Sequence, residues 1–156
     1  MIKRHTVRAA AVLLICAAVF PARAADLTGA IDWTEYESAL SKAKEQDKKS
    51  FLYFYTDWCS YCKKVENVLF KDADVVEYLN ENFVSTAVNV KGDESKSIAK
   101  DYGVSGFPTF WFLEEDSSRL NYLPGYIEKD KFLQILKYIS TDSYETMEFS
   151  EFAESF

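Results

Sequence analysis

The segment 58–63, WCSYCK, constrains this chain most, because it directly follows the apolar run 51–55, FLYFY. Such a run predicts a buried strand, and the segment behind it predicts the first turn of a helix. The two cysteines therefore lie where a strand passes into a helix. Unpaired backbone N–H groups and the helix dipole make a helix N-terminus a favourable place for a thiolate.

This placement predicts different roles for Cys59 and Cys62. The thiolate is the attacking species in disulfide exchange, so Cys59, at the predicted start of the helix, is the candidate nucleophile. Cys62 follows about one helical turn later and can attack a mixed disulfide formed at Cys59, which releases the reduced target. Cys62 is the candidate resolving cysteine.

Other uses of a cysteine pair fit the sequence poorly. A structural zinc site needs four Cys or His ligands. The remaining candidates, His5 and Cys16, lie in an N-terminal segment that is predicted to be removed from the exported protein. Attachment of c-type haem needs a histidine directly after the second cysteine, where this chain has Lys63. A purely structural disulfide would close a very short loop and stabilise little. We therefore expect redox chemistry and no metal, and the absence of a nicotinamide or flavin motif predicts no cofactor.

Residues 1–25 have the pattern of a secretory signal peptide. Lys3, Arg4 and Arg8 form a basic start, 9–20 an apolar core, and 22–24 a small-x-small cleavage site. The apolar core of 12 residues is shorter than the roughly 20 needed to span a membrane. The pattern predicts export to the periplasm.

The charge of the chain excludes one class of partner. The whole chain has 18 Lys and Arg against 25 Asp and Glu, and segment 1–25 holds four of the basic residues and none of the acidic ones. The exported chain 26–156 would therefore have a net charge of −11 instead of −7. Such an acidic protein is not expected to bind nucleic acid. Its length is sufficient for one domain with a substantial core.

Hydrophobic periodicity predicts the order helix, strand, helix, strand, helix, strand, strand, helix. Asp32 followed by Glu35 resembles a capping box and predicts the start of the first helix. Segment 51–56 is too apolar to have a solvent face and predicts a central strand that is covered on both sides. The other predicted elements are the motif helix with a further helical segment from Asp72, strand 83–90, helix 97–102, strands 109–113 and 119–123, and helix 128–139.

In this order of elements, three separated motifs make the chain resemble the thioredoxin superfamily over residues 31–140. They are WCSYCK at 58–63, GFPT at 106–109 and GY at 125–126. Within the superfamily the chain is similar to secreted thioredoxins and to the periplasmic C-terminal domain of the membrane reductase DsbD, whose D-W-C-x-x-C-K pattern matches 57–63. The resemblance implies an α/β thioredoxin fold, with a central mixed β-sheet flanked by helices, over residues 26–140.

The resemblance also implies a cis peptide bond between Phe107 and Pro108, with Pro108 facing the cysteine pair as part of the catalytic site. The cis bond would turn the backbone of Phe107 outward to pair with an extended substrate. An ordinary trans proline at a strand start is the alternative. Trp58 is either a core residue or part of an apolar rim around the nucleophile, and we expect Trp58 and Phe107 to contact substrate.

The chain departs from the family six residues before the first cysteine, where Tyr53 replaces a buried aspartate that helps to move a proton to and from the resolving cysteine. Glu66 is a candidate substitute. It lies four residues after Cys62 on the predicted helix, and the DsbD-type domain has glutamate at the matching position. A solvated surface carboxylate is the alternative role for Glu66.

The expected activity is that of a thiol:disulfide oxidoreductase that reduces disulfides in exported proteins. Ser60 and Tyr61 place no cation between the cysteines, and the distance from Cys62 to Pro108 leaves no room for the helical domain that DsbA-type oxidants insert. We expect a monomer that is re-reduced by a membrane donor of the DsbD type. An oxidase or isomerase, and a binding module or chaperone without catalysis, remain alternatives.

Residues 141–156 form an acidic and aromatic extension beyond the minimal fold. Aromatic residues and methionine recur every three to four positions between glutamates, which predicts an amphipathic helix. This helix could pack on the domain or serve as a docking tail for a partner. The apolar positions are Tyr144, Met147, Phe149, Phe152 and Phe156.

Overall fold

A computed structural model describes residues 30–155; the predicted signal peptide and Phe156 lie outside this range. The predicted order of elements is confirmed, with the helical segment from Asp72 present as a separate helix. None of the described helices is long and apolar enough to cross a membrane. The elements are α1 (Tyr36–Gln46), β1 (Lys49–Tyr55), α2 (Ser60–Val68), α3 (Ala73–Asn82), β2 (Phe83–Asn89), α4 (Asp93–Asp101), β3 (Thr109–Leu113), β4 (Arg119–Pro124), α5 (Lys129–Ser140), a 3₁₀ turn (Ser143–Glu145) and α6 (Phe149–Glu154).

The four strands form one mixed sheet in the order β2-β1-β3-β4. β1 pairs in parallel with β2 and antiparallel with β3, and β3 and β4 form an antiparallel hairpin. β1 is buried along nearly its whole length, as expected of a central strand. This arrangement confirms the thioredoxin fold that the resemblance implies.

Alternate residues of β1 contribute to the cores on opposite faces of the sheet. Phe51 and Tyr53 join the larger apolar cluster, which includes residues of α2, α3 and α5. Leu52 and Phe54 join the smaller cluster, which includes Ala99 of α4. Because both faces of β1 are covered, the loop that follows the strand is held in a fixed position at the carboxyl end of β1.

The first helix begins later than its capping pattern predicts. Glu35, and not Asp32, caps α1, since its carboxylate accepts hydrogen bonds from the N–H groups of Glu37 and Ser38 at 3.3 and 3.2 Å. The N–H of Asp32 instead donates to Asn80 at 2.9 Å. The predicted capping box is therefore wrong, because contacts with distant parts of the chain hold residues 32–34 outside the helix. Helix α4 also differs from its prediction, since it begins at Asp93, four residues before the predicted start at 97.

The C-terminal extension consists of a 3₁₀ turn and a short helix, and not of the single amphipathic helix predicted. Asp142 has a left-handed backbone conformation with φ of 55°, which interrupts helical structure after α5. The extension folds back on α5: the Tyr138 hydroxyl donates to the carbonyl of Met147 at 2.6 Å, and Phe152 is buried with its ring 5.2 Å from that of Tyr138. Residues 142–152 thus pack on the domain.

Candidate active site

Cys59 is the N-cap residue of α2, at the end of the loop that follows β1. Its N–H donates to the carbonyl of Thr56 at 3.2 Å, and its Sγ accepts the N–H of Cys62 at 3.1 Å. The sulfur therefore takes the place of the side-chain oxygen that usually caps a helix. Negative charge on this sulfur would be stabilised by the N–H group and by the helix dipole.

Cys59 and Cys62 are joined by a disulfide, and their Cα atoms are 5.2 Å apart. The two cysteines differ in accessibility. Cys59 is 6% exposed and Cys62 only 1%. Both cysteines are therefore buried, and Cys59 is the more accessible of the two.

Aromatic side chains surround the cysteine pair at the surface. Trp58 is 77% exposed and Tyr61 is 61% exposed, so neither belongs to the core. The Trp58 ring contacts Phe107 edge to face, with centroids 6.1 Å apart and an interplanar angle of 82°. This contact brings the loop before α2 next to the loop before β3. Trp58 therefore lies in the exposed rim around the cysteine pair and not in the core.

The peptide bond between Phe107 and Pro108 is cis, as the resemblance implies. Pro108 is buried and its carbonyl accepts the N–H of Gly125 at 2.7 Å, whereas Phe107 is partly exposed. Among residues 30–155 no backbone hydrogen bond involves the N–H or C=O of Phe107. These two groups are free to pair with an added strand. A groove of about 270 Å³, lined by Phe107, Pro108 and Tyr122 among others, lies beside them.

Behind the cysteines the structure brings Tyr53 and Glu66 together. The Tyr53 hydroxyl lies 3.2 Å from Oε1 of Glu66 and 3.3 Å from the carbonyl oxygen of Cys62. Burial, reinforced by the Glu66 carboxylate, raises the pKa of Tyr53 well above its ordinary value, so the hydroxyl keeps its proton. Glu66 is partly buried and not a fully solvated carboxylate.

At Tyr53 the sequence shows only that an aspartate is absent, and the contact between Tyr53 and Glu66 was not predicted. One signal could have indicated it. A tyrosine at an inward position of a central strand needs a partner for its hydroxyl, and the nearest polar residues on the following helix are the candidates.

The two lysines that follow Cys62 on α2 point to the surface and not toward the cysteine pair. Lys63 and Lys64 are exposed, and Nζ of Lys64 lies 3.7 Å from the centroid of the Tyr126 ring and 3.7 Å from Glu128. Within the described part of the chain, no group of three or more His, Cys, Asp or Glu residues is arranged to hold a metal ion. The chemistry that the Cys59–Cys62 pair can perform is exchange between thiols and disulfides.

Comparison with known proteins gives the same assignment. Residues 36–140 match the family model of the thioredoxin-like domain. The thiol:disulfide interchange protein DsbD of Neisseria meningitidis is 29% identical over 106 residues, which cover 66% of this chain and 18% of DsbD. DsbD of Vibrio cholerae is 34% identical over 107 residues. The chain thus matches about a fifth of the length of these relatives.

Solved structures show the same likeness. A thioredoxin from Thermus thermophilus superposes with a TM-score of 0.65 at 28% identity, covering 70% of this chain and 87% of that one. The reduced C-terminal domain of DsbD from Neisseria meningitidis superposes with a TM-score of 0.55 at 29% identity, covering 65% and 90%. Family model, relatives and structures agree with the geometry of the cysteine pair: the chain belongs to the thioredoxin-like family of thiol:disulfide oxidoreductases.

Proposed function

We propose that this protein is a periplasmic disulfide reductase, with Cys59 as the nucleophile and Cys62 as the resolving cysteine. The observation that supports it most directly is the asymmetry of the pair. Cys59 caps α2 and is 6% exposed, whereas Cys62 lies in the first turn of that helix and is 1% exposed. We therefore expect a target to meet the Cys59 sulfur first and Cys62 to attack Cys59 afterwards.

The reaction proceeds in two exchange steps. In the first, the Cys59 thiolate attacks one sulfur of a target disulfide, an S–S bond forms between Cys59 and the target, and the other target sulfur leaves as a thiolate that takes up a proton. In the second, the Cys62 thiol loses its proton and attacks Cys59. The Cys59–Cys62 disulfide forms, and the remaining target sulfur leaves and is protonated. Two electrons pass from the protein dithiol to the target disulfide.

The loop before β3 would hold the target during these steps. The unpaired N–H and C=O of Phe107 can form strand-like hydrogen bonds with an extended segment next to the target cysteine. Trp58 and Phe107 would contact its apolar side chains, and buried Pro108 fixes the loop beside the groove. The proposed substrates are therefore disulfides in extended or partly unfolded regions of exported proteins.

The direction of electron flow and the location are part of the proposal. No cation stands between the cysteines, at Ser60 or Tyr61, to stabilise the reduced form strongly. Between Cys62 and Pro108 the chain forms only α2, α3, β2 and α4 of the basic fold. Together with the signal-like segment 1–25, these features favour an exported reductase. The proposal includes a monomeric state and a membrane donor of the DsbD type that reduces the protein again after each turnover, since the sequence has no nicotinamide or flavin motif of its own.

Cysteine variants test this function. Purified protein is assayed for reduction of a protein disulfide such as that of insulin, with an excess of a small reductant. Cys59→Ser should abolish turnover, because the attacking sulfur is gone. Cys62→Ser should also stop turnover but accumulate covalent adducts between Cys59 and targets, visible on non-reducing gels. Adducts that form equally in Cys59→Ser would contradict the assigned roles.

The same variants separate the alternatives. A binding module that uses the exposed surface around Trp58 should bind its targets equally well as Cys59→Ser, whereas a reductase requires the sulfur. An oxidase should transfer its disulfide to reduced, unfolded proteins faster than the reduced form removes disulfides from them. Identification of the proteins trapped by Cys62→Ser would indicate the class of substrate.

A further inference from the structure

We propose that Tyr53 is a positioning residue for proton transfer at Cys62, and that it acts by holding the Glu66 carboxylate behind the resolving cysteine. This inference rests on the proposed roles of Cys59 and Cys62. It concerns the position where the chain has a tyrosine in place of the buried aspartate of its family. The phenol does not accept the proton itself and orients the group that does.

The ring of Tyr53 is held rigidly in the core. The side chain is 1% exposed and stacks on Phe110 and on Tyr55, with ring centroids 5.6 and 5.1 Å away. The edge of Phe70 packs against it at 4.9 Å. A ring fixed on three sides places its hydroxyl at one point, between α2 and the sheet.

At that point the hydroxyl meets two acceptors but has only one proton to donate. Glu66 Oε1 lies 3.2 Å away and the carbonyl oxygen of Cys62 3.3 Å away. When Glu66 is ionised, a hydrogen bond to the charged oxygen is the stronger of the two. When Glu66 has taken up a proton, the Tyr53 proton can turn to the Cys62 carbonyl. Neither state leaves the buried hydroxyl unpaired.

Within residues 30–155 no cation is paired with Glu66. Among the described residues it forms no salt bridge within 4.0 Å, and Tyr53 is the partner that the structure shows for its carboxylate. The other titratable groups near this cluster, on β1 and the following loop, are Tyr55 and Asp57, and neither is hydrogen-bonded to Glu66 among the described residues. A carboxylate without a cation, four residues from Cys62 on the same helix, is available to accept a proton.

The proposed step moves one proton and exchanges one disulfide bond for another. In the mixed disulfide at Cys59, the Cys62 thiol transfers its proton to the Glu66 carboxylate, directly or through one water. The Cys62 thiolate attacks Sγ of Cys59, the Cys59–Cys62 bond forms, and the bond from Cys59 to the target sulfur breaks. The target leaves as a thiolate. Tyr53 donates its hydrogen bond to Glu66 before the transfer and keeps its own proton throughout.

The experiment isolates this second step with a chromogenic disulfide, 5,5′-dithiobis(2-nitrobenzoate). Reduced protein reacts at Cys59 and releases one coloured thiolate, and attack by Cys62 then releases the second. The rate of the second release is measured from pH 5 to 9 for the wild type, Tyr53→Phe, Glu66→Gln and the double variant. Tyr55→Phe is the matched control, since it removes a phenol hydroxyl from the same strand that does not bond Glu66.

Tyr53→Phe should slow the second release about five- to tenfold near neutral pH and move the acidic limb of its pH profile, with the first release unchanged. In the Glu66→Gln background the same substitution should change the rate by less than about twofold, because its effect passes through Glu66. Tyr55→Phe should retain the wild-type profile.

Two results would overturn the inference. One is a wild-type profile in folded Tyr53→Phe, and the other is equal slowing by Tyr53→Phe with and without Glu66, which would mean that the hydroxyl acts independently. Circular dichroism checks the fold of each variant, and Tyr53→Met provides a second side chain without a hydroxyl if Tyr53→Phe does not fold. A wild-type protein that shows no second release would instead refute the proposed role of Cys62, and with it the inference.

Discussion

Replacing Lys49 by methionine should destabilise the protein at the end of the sheet where the C-terminal extension is attached. Lys49 is the first residue of β1, and its side chain is only 6% exposed. Its Nζ lies 2.8 Å from Glu114, 2.9 Å from Glu115 and 2.8 Å from Asp142. Burial alone would lower the pKa of Lys49, but hydrogen bonds to the three carboxylates outweigh it and raise that pKa.

The size of the effect follows from how much water reaches the carboxylates. Removing one partner of a fully buried ion pair costs about 3–5 kcal/mol. The side chains of Glu114, Glu115 and Asp142 are 25%, 35% and 52% exposed, so water partly screens them once the cation is lost. We therefore expect the free energy of unfolding to fall by about 2 kcal/mol, which lowers Tm by roughly 4–8 °C in a chain of this size.

Thermal and urea unfolding followed by circular dichroism measure this loss, with the cysteine pair oxidised in every sample. Lys42→Met is the control, because Lys42 lies on the exposed side of α1 and forms no salt bridge among the described residues. It should change the free energy of unfolding by less than about 0.5 kcal/mol. An equally small change in Lys49→Met would refute the view that this ion cluster holds the extension to the sheet.

Four further predictions follow from the contacts. The stability difference between wild type and Lys49→Met should narrow as the pH falls below about 4. The hydrogen bond from Lys49 lowers the pKa of Asp142 in the folded protein, so the stability that this pair contributes is lost as the pH falls through that lowered pKa. Trp58→Ala should raise KM for a protein disulfide several-fold and leave Tm nearly unchanged, since Trp58 is 77% exposed; a lowered Tm would assign it to the core. Removing residues 141–156 should lower the urea midpoint, because Phe152 is buried and Asp142 is bonded to Lys49; intact stability with loss of turnover by a partner would support a docking tail instead. Phe110→Ala should lower the free energy of unfolding in urea by about 3–5 kcal/mol, because Phe110 is fully buried and packs against the rings of Phe51 and Phe132. A loss below about 1 kcal/mol would contradict this packing.

The elements that the sequence predicts best are those with strong local signals. Strand β3 begins and ends where predicted, because Pro108 precedes a short apolar and aromatic run that has no helical spacing. The start of α2 at the cysteine motif is also local, since it depends on an apolar strand followed at once by polar helix-forming residues. These signals were sufficient to predict the order of elements and to place Cys59 and Cys62.

The elements that differ depend on contacts between distant residues. Asp32 resembles a helix cap, but its N–H is bonded to Asn80, which is far away along the chain. The regular aromatic spacing of the extension predicts one helix, yet Asp142 turns out of helical geometry and bonds Lys49. Neither partner can be identified from local spacing.

In the candidate site, too, some features follow from local sequence and others from contacts between distant residues. The cysteine pair is predicted from a short motif and the cis bond before Pro108 from the resemblance to the family, and both are present in the structure. The hydrogen bond between Tyr53 and Glu66 depends instead on how α2 packs over β1. A sequence shows that a tyrosine has replaced an aspartate, but not which carboxylate its hydroxyl meets.

The reduction potential of the Cys59–Cys62 pair tests the central claim most directly. Purified protein is equilibrated with glutathione buffers or with a reference thioredoxin, and the free thiols are trapped and quantified at each ratio. A reductase should have a potential near the roughly −270 mV of thioredoxin. A value near about −120 mV, that of a strong oxidant, would contradict the account and make this protein a donor of disulfides to exported thiols.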